Sequence, residues 1–255
     1  MAGRLENQHI FVTGGAQGIG AAIVEKCLNE GAKVSFIDLD GKKAKEHATT
    51  LGAWPARLSF AEGDVRSADD IARAHEAAKA SFGPVTGLVN NAGRNSYADP
   101  VTMTEDQWDD VFAVDLKSAW LCARAVLPDM LAAERGSIVN IASIHADLTY
   151  PGMFPYAAAK AGLVGMTRSL ALEVGPQQIR VNALSPGYTE TPLLKEWFGM
   201  QPPEKQREVL SVHAMRRMGK PMEIANCVAF LLSDEASFVT GANWRVDGGL
   251  GARFA

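Results

Sequence analysis

The sequence predicts an α/β protein built on a parallel β-sheet with helices on both faces. Two features carry that reading: seven short, apolar, β-rich runs recur along the 255 residues, and longer stretches with apolar residues at helical spacing lie between them. Strands alternating with helices are the signature of βαβ units. The runs are "HIFVTG" at 9–14, "KVSFID" at 33–38, "RLSFAEGDV" at 57–65, "GLVNNAG" at 87–93, "SIVNIAS" at 137–143, "IRVNALSPG" at 179–187 and "NWRVDGG" at 243–249. The helical spacing covers 19–30, 68–82, 105–133, 156–174 and 221–233. The long irregular region is 186–204, with Pro186, Pro192, Pro202 and Pro203; it reads as part loop and part short helix. Such a segment after a strand's C-terminal end suits a substrate flap, here about 188–210. With no linker, repeat or low-complexity stretch, the expectation is one domain over 1–255.

Bulk composition narrows the function. The chain is 47% hydrophobic and 21% charged with a formal net charge of −4, so no electrostatic case exists for nucleic acid or an anionic membrane. Apolar stretches are broken by Gly, Pro and polar residues, so no membrane span is expected. The N-terminus lacks the layout of a secretory signal. Cys27, Cys122 and Cys227 are far apart and few, which argues against a disulfide framework or a metal site and fits small buried hydrophobes. A cytoplasmic location is the expectation.

The first strand runs into "TGGAQGIG" at 13–20, and a helix follows at once. Glycines there allow a tight turn and let the backbone approach a pyrophosphate seated on the helix N-terminus. The strand–turn–helix context is what lifts this above an ordinary glycine turn. Asp38 ends the second strand, eighteen residues after Gly20. A carboxylate there accepts hydrogen bonds from ribose hydroxyls and repels a 2′-phosphate. No Lys or Arg occupies 15–17 and position 39 is Leu, so NAD is expected rather than NADP.

Ser143 closes the fifth run, Tyr156 follows thirteen residues later, and Lys160 lies four residues beyond on the same helical face. Together with the TGxxxGxG glycines, "NNAG" at 90–93, "PG" at 186–187 with Thr191, and the terminal "VDGG" at 246–249, this set resembles the short-chain dehydrogenase/reductase family. The resemblance spans essentially the whole chain in order. It implies a Rossmann-type, doubly wound, seven-stranded parallel sheet and an NAD-dependent oxidoreductase. It assigns the pyrophosphate to Gly14, Ile19 and Gly20 and the adenine to Asp64 and Val65, with Gln17, Gly18, Asp38 and Leu39 also on the cofactor. Asn90, Asn91, Ala92 and Gly93 fall on the adenosine side. Pro186, Gly187, Tyr188 and Thr191 face the nicotinamide, whose ribose Tyr156 and Lys160 reach. One departure stands out: where the family places an Asn in its catalytic tetrad, this chain has Asp115.

The chemistry fits those residues. Hydride leaves a carbinol only as its hydroxyl loses a proton, so a base is required. Tyr has an ordinary pKa near 10 and is a weak base at neutral pH. A neighbouring ammonium favours the phenolate, and reaching about 7 needs roughly 4 kcal/mol of differential stabilisation. Ser143 would hydrogen-bond the reacting oxygen. Ser143, Tyr156, Lys160 and Asp115 are thus the expected catalytic set.

For the substrate, the segments around the strand ends offer Arg94, Asn95, Ser96, His145, Met153, Tyr188, Glu190 and Trp197. Asn95, Ser143, His145, Tyr156, Tyr188 and Trp197 are expected to bind it. Polar groups beside an aromatic plate suit a polyhydroxylated small molecule, a sugar or sugar acid. Two other readings remain: a 3-oxoacyl thioester reductase, which Asp38 opposes, and a silent dinucleotide-binding regulator, which the intact Ser–Tyr–Lys set opposes. A homotetramer is expected from the apolar helices 105–133 and 156–174, with Ala119, Ala123, Ala157, Ala161 and Gly165 allowing close approach, and from the apolar end segment 241–255.

Overall fold

A computed structural model describes residues 3–252 except 53 and 55. The strands are β1 (His9–Thr13), β2 (Lys33–Asp38), β3 (Leu58–Glu62), β4 (Gly87–Asn90), β5 (Gly136–Ile141), β6 (Ile179–Pro186) and β7 (Asn243–Val246). They form one parallel sheet in the order β3-β2-β1-β4-β5-β6-β7. The helices are α1 (Gly18–Asn29), α2 (Gly41–Thr50), α3 (Ala68–Phe82), α4 (Glu105–Phe112), α5 (Ser118–Ala133), α6 (Tyr156–Val174), α7 (Pro192–Gly199), α8 (Pro203–Ser211) and α9 (Pro221–Leu232).

Alternation along β1 divides the core. Ile10 and Val12 point into a cluster with α1 and α9, while Phe11 points into another with α3, α5 and α6. Because helices cover both faces, the central strands are buried at every position and read as continuous apolar runs. The edge strand β3 is only partly covered, and its Phe60 remains 39% exposed.

Helix ends follow local chemistry. Thr104 and Gln107 form a reciprocal cap on α4; Ser67 caps α3, whose first turn carries Asp69 and Asp70. The run 105–133 is not one continuous helix. A π turn, Ala113–Lys117, separates α4 from α5, and the Ser118 N–H reaches back to the Ala113 carbonyl. The region 186–204 is also more regular than its prolines suggest. Pro192 and Pro203 sit at the first turns of α7 and α8, where a missing N–H costs nothing.

Strand order reverses beside β1, which pairs with β2 on one side and β4 on the other. The crevice beyond the strand C-termini at that switch point is where such sheets bind ligands. The glycine turn, the segment after β4, the turn after β5 and the segment after β6 all open there.

Candidate active site

The glycine turn has the shape of a dinucleotide cradle. Gly14 and Gly18 take φ of +66° and +60°, and a Cβ on Gly20 would lie 1.9 Å from the Gly14 carbonyl oxygen. Gln17 enters α1 in an extended conformation with no side-chain cap, so the first helical N–H groups are left for a ligand. Ile19 is half-buried against the core. The Ala16 N–H donates to Asp38 Oδ2 at 2.9 Å and the Asp40 N–H to Oδ1 at 3.0 Å. The carboxylate is therefore fixed at the turn, with Leu39 67% exposed beside it. These residues fit a nicotinamide dinucleotide, and nothing cationic is placed to meet a 2′-phosphate at 15–17 or 39.

The end of β4 is bolted to this turn. The Asn91 amide donates to the Thr13 and Gly14 carbonyls at 3.0 and 2.9 Å, while Thr13 Oγ1 accepts from the N–H groups of Asn91 and Ala92. The Asn90 side chain points away from this turn. It is 5% exposed and donates instead to Asn140 Oδ1 at 2.8 Å and to the Ala119 carbonyl, because neighbours on a strand face opposite ways. Asp64 accepts from Arg66 Nε at 2.9 Å, which holds its carboxyl below the usual range; Val65 is buried in the core. Pro186 is buried at the end of β6, and the Gly187 N–H donates to the Val246 carbonyl. Thr191 caps α7, and its methyl lies 3.2 Å from where a Cβ on Gly18 would sit. The segment after β6 thus meets the glycine turn.

The four expected catalytic residues converge. Ser143 lies two residues past β5, where its Oγ accepts from the His145 N–H at 3.2 Å. Tyr156 opens α6 and Lys160 sits one turn on, its Nζ 5.6 Å from the phenol ring centre. Lys160 donates to the Ile141 carbonyl at 3.2 Å and pairs with Asp115 Oδ1 at 3.2 Å. Asp115 is 2% exposed and sits in the π turn; its Oδ1 also accepts from the Arg94 N–H, while Oδ2 is buried without a hydrogen-bond partner. A Cβ on Gly93 would approach Asp115 Oδ1 to 2.7 Å and Lys160 Nζ to 3.1 Å, so glycine keeps the pair accessible from the β4 side.

Burial pushes the Tyr156 phenol above its ordinary value; Lys160 and a hydrogen bond with Ser143 pull the other way, and Asp115 pushes it up again. The sequence reading has Lys160 lowering it toward neutrality. That influence has the expected sign, but in this chain burial outweighs it.

On the substrate side the structure gathers aromatics. His145 contacts the Tyr150 and Tyr156 rings at 5.0 and 6.0 Å, and burial lowers its pKa. The Tyr150 and Tyr188 hydroxyls are 3.0 Å apart, and Tyr188 meets the buried His213 ring at 5.6 Å. The Asn95 amide donates to the Tyr97 hydroxyl at 3.0 Å. All four tyrosines of the chain therefore stand around this mouth. Tyr97 and Tyr150 are missing from the sequence reading although they lie within the two stretches that flank the site. Arg94 is ion-paired with Asp110, Glu190 with Lys195 at 3.2 Å, and Met153 is buried. Among the described residues no ring contact ties Trp197, on α7, to the tyrosine group.

A family model described as enoyl-(acyl carrier protein) reductase matches residues 14–251. 2-(S)-Hydroxypropyl-CoM dehydrogenase 3 of Xanthobacter autotrophicus is 40% identical over 254 residues, covering 99% of this chain and 100% of that one. The chain belongs to the short-chain dehydrogenase/reductase family. Another member of this dehydrogenase/reductase family, a 3-oxoacyl-acyl-carrier-protein reductase of Thermotoga maritima, is 38% identical, with 97% and 99% of the two chains covered. The crystal structure of levodione reductase superposes with a TM-score of 0.92 at 30% identity over 98% of this chain and 100% of that one. The seven-stranded sheet matches the architecture of that solved structure.

Proposed function

We propose that this protein is an NAD-dependent dehydrogenase acting on a carbinol or hemiacetal of a sugar or sugar acid. The observation that carries the reaction class is the convergence of Ser143, Tyr156 and Lys160 beside the glycine cradle. Asp38, held at the turn by the Ala16 N–H, supports NAD over NADP. The nicotinamide, when bound, supplies the hydride acceptor. Tyr156 Oη takes the proton from the carbinol oxygen, Ser143 Oγ orients that oxygen, and Lys160 supports the phenolate and holds the nicotinamide ribose. In reduction the same proton returns from Tyr156.

The sugar reading is supported by His145 and by the hydroxyl-tipped rings of Tyr97, Tyr150 and Tyr188. A polyol satisfies such groups, whereas an acyl chain would leave each desolvated at about 1–3 kcal/mol. With Arg94 engaged by Asp110, the polyol case rests on these rings rather than on a guanidinium. We read residues 1–255 as one catalytic unit, with 188–210 closing over the substrate.

A second reading, reduction of 3-oxoacyl thioesters, draws support from the Thermotoga maritima relative. A panel of aldoses, sugar acids, polyols and acetoacetyl thioesters, assayed with NAD(H) and NADP(H), separates the two. Turnover of a sugar with NAD supports the proposal. Efficient thioester reduction with no sugar oxidised overturns it.

A further inference from the structure

We propose that Asp115 is a positioning residue: its carboxylate clamps Lys160 beneath Tyr156 and, by cancelling part of the ammonium's field, sets the pH range in which Tyr156 exchanges its proton. The inference rests on the proposed dehydrogenase reading and deepens it. In the relay implied by the resemblance, an Asn stands at this position; here a carboxyl group, its pKa raised by burial against the pull of Lys160, stands 3.2 Å from the ammonium.

The geometry is specific. Asp115 and Lys160 side chains are 0% and 4% exposed, so neither charge is screened by solvent. The π turn inserts an extra residue into the helical path, and Asp115 lies within it. Its Oδ1 is held twice, by the Arg94 N–H and by Lys160, while Oδ2 has no hydrogen-bond partner. Gly93 leaves no side chain between the carboxylate and the ammonium. An Asn at 115 would keep the shape and the backbone but lose the charge.

The consequence falls on Tyr156. The groups facing it are Lys160 on its own helix, Asp115 from the π turn, Ser143 and His145 from the turn after β5, and Tyr97 from the segment after β4. Asp115 itself faces Lys160 and Arg94. Lys160 is the one ammonium in the Tyr156 set, so neutralising Asp115 frees its full field to favour the phenolate. The phenol then ionises at lower pH.

The test is a tyrosinate titration by ultraviolet difference absorbance, isolating Tyr156 by subtracting the Tyr156→Phe variant in each background. Asp115→Asn should move the Tyr156 midpoint down by about one pH unit, the low end for the loss of a neighbouring charge. Asp115→Ser, smaller but equally uncharged, should move it the same way, with near-ultraviolet circular dichroism checking that each variant is folded. The acid limb of the kcat/KM profile should shift in the same direction. A midpoint that stays put or rises in the folded variants overturns the proposal, even if kcat falls, because that is the behaviour of a packing residue. The titration needs no substrate, so failure to oxidise any carbinol would sink the function reading and leave this test standing.

Discussion

Tyr156 and Asp38 carry the residue-scale expectations. Tyr156→Phe removes the hydroxyl but keeps a ring of nearly the same volume in a 9%-exposed site, so turnover should fall below a tenth of normal while NADH binding stays nearly unchanged. Steady-state assay beside fluorescence titration of NADH checks both halves. Asp38→Ala removes the group that the Ala16 and Asp40 N–H groups both address, so NAD affinity should weaken and a preference for NAD of well over tenfold should narrow. Equal kcat/KM values for NAD and NADP in the unaltered protein would sink that assignment. Glu30 belongs to this scale as well. Hydrogen bonds from Arg4 and Lys26 draw its carboxyl down to about 2. A depressed acid adds stability above its unfolded value of about 4.3 and loses it as pH falls towards the folded one. Glu30→Gln should therefore lower the unfolding midpoint at pH 7 and converge on the parent as the pH nears 2, as read by thermal melts across that window.

Elements differ in how far the sequence makes them legible. The seven strands and the helices 68–82 and 156–174 follow from apolar spacing alone, which must match the face each one buries. The π turn at Ala113–Lys117 has no such pattern. It places Asp115 against Lys160, a contact between distant parts of the chain, and the run through it looks uniformly helical. Pro192 and Pro203 read as loop-makers because proline marks a break; only the fold shows that each break is a helix start. In the site, Ser143, Tyr156 and Lys160 are legible because they are local to one strand–turn–helix. The engagement of Arg94 by Asp110 is not, since it depends on how a loop meets α4. The turn itself offers a direct test. Gly20→Ala places a methyl 1.9 Å from the Gly14 carbonyl, so the turn must open, and dinucleotide affinity should fall at least tenfold by fluorescence titration.

At the scale of the whole molecule, the outer faces of α5 and α6 leave Trp120 46%, Leu131 41% and Leu172 80% exposed, with Arg124 lying over the Trp120 ring. Ala119 and Ala123 turn into the chain's own core and so cannot meet a second subunit, while Ala161 and Gly165 are exposed and Ala157 is half-buried. Of the end segment, residues 253–255 lie outside the described residues. A homotetramer remains our expectation, and a monomeric mass by light scattering at micromolar concentration would overturn it. The packing of α1 against α9 reaches further, into the making of the protein. Ile23, Val24, Cys27 and Leu28 of α1 share a core cluster with Ile224, Ala225, Val228 and Leu232 of α9. On the ribosome the first of these partners emerges some two hundred residues before the second. Until α9 is added, the nascent chain carries a hydrophobic helix face whose cover has not yet been synthesised, which makes it a natural client for chaperones that bind growing chains.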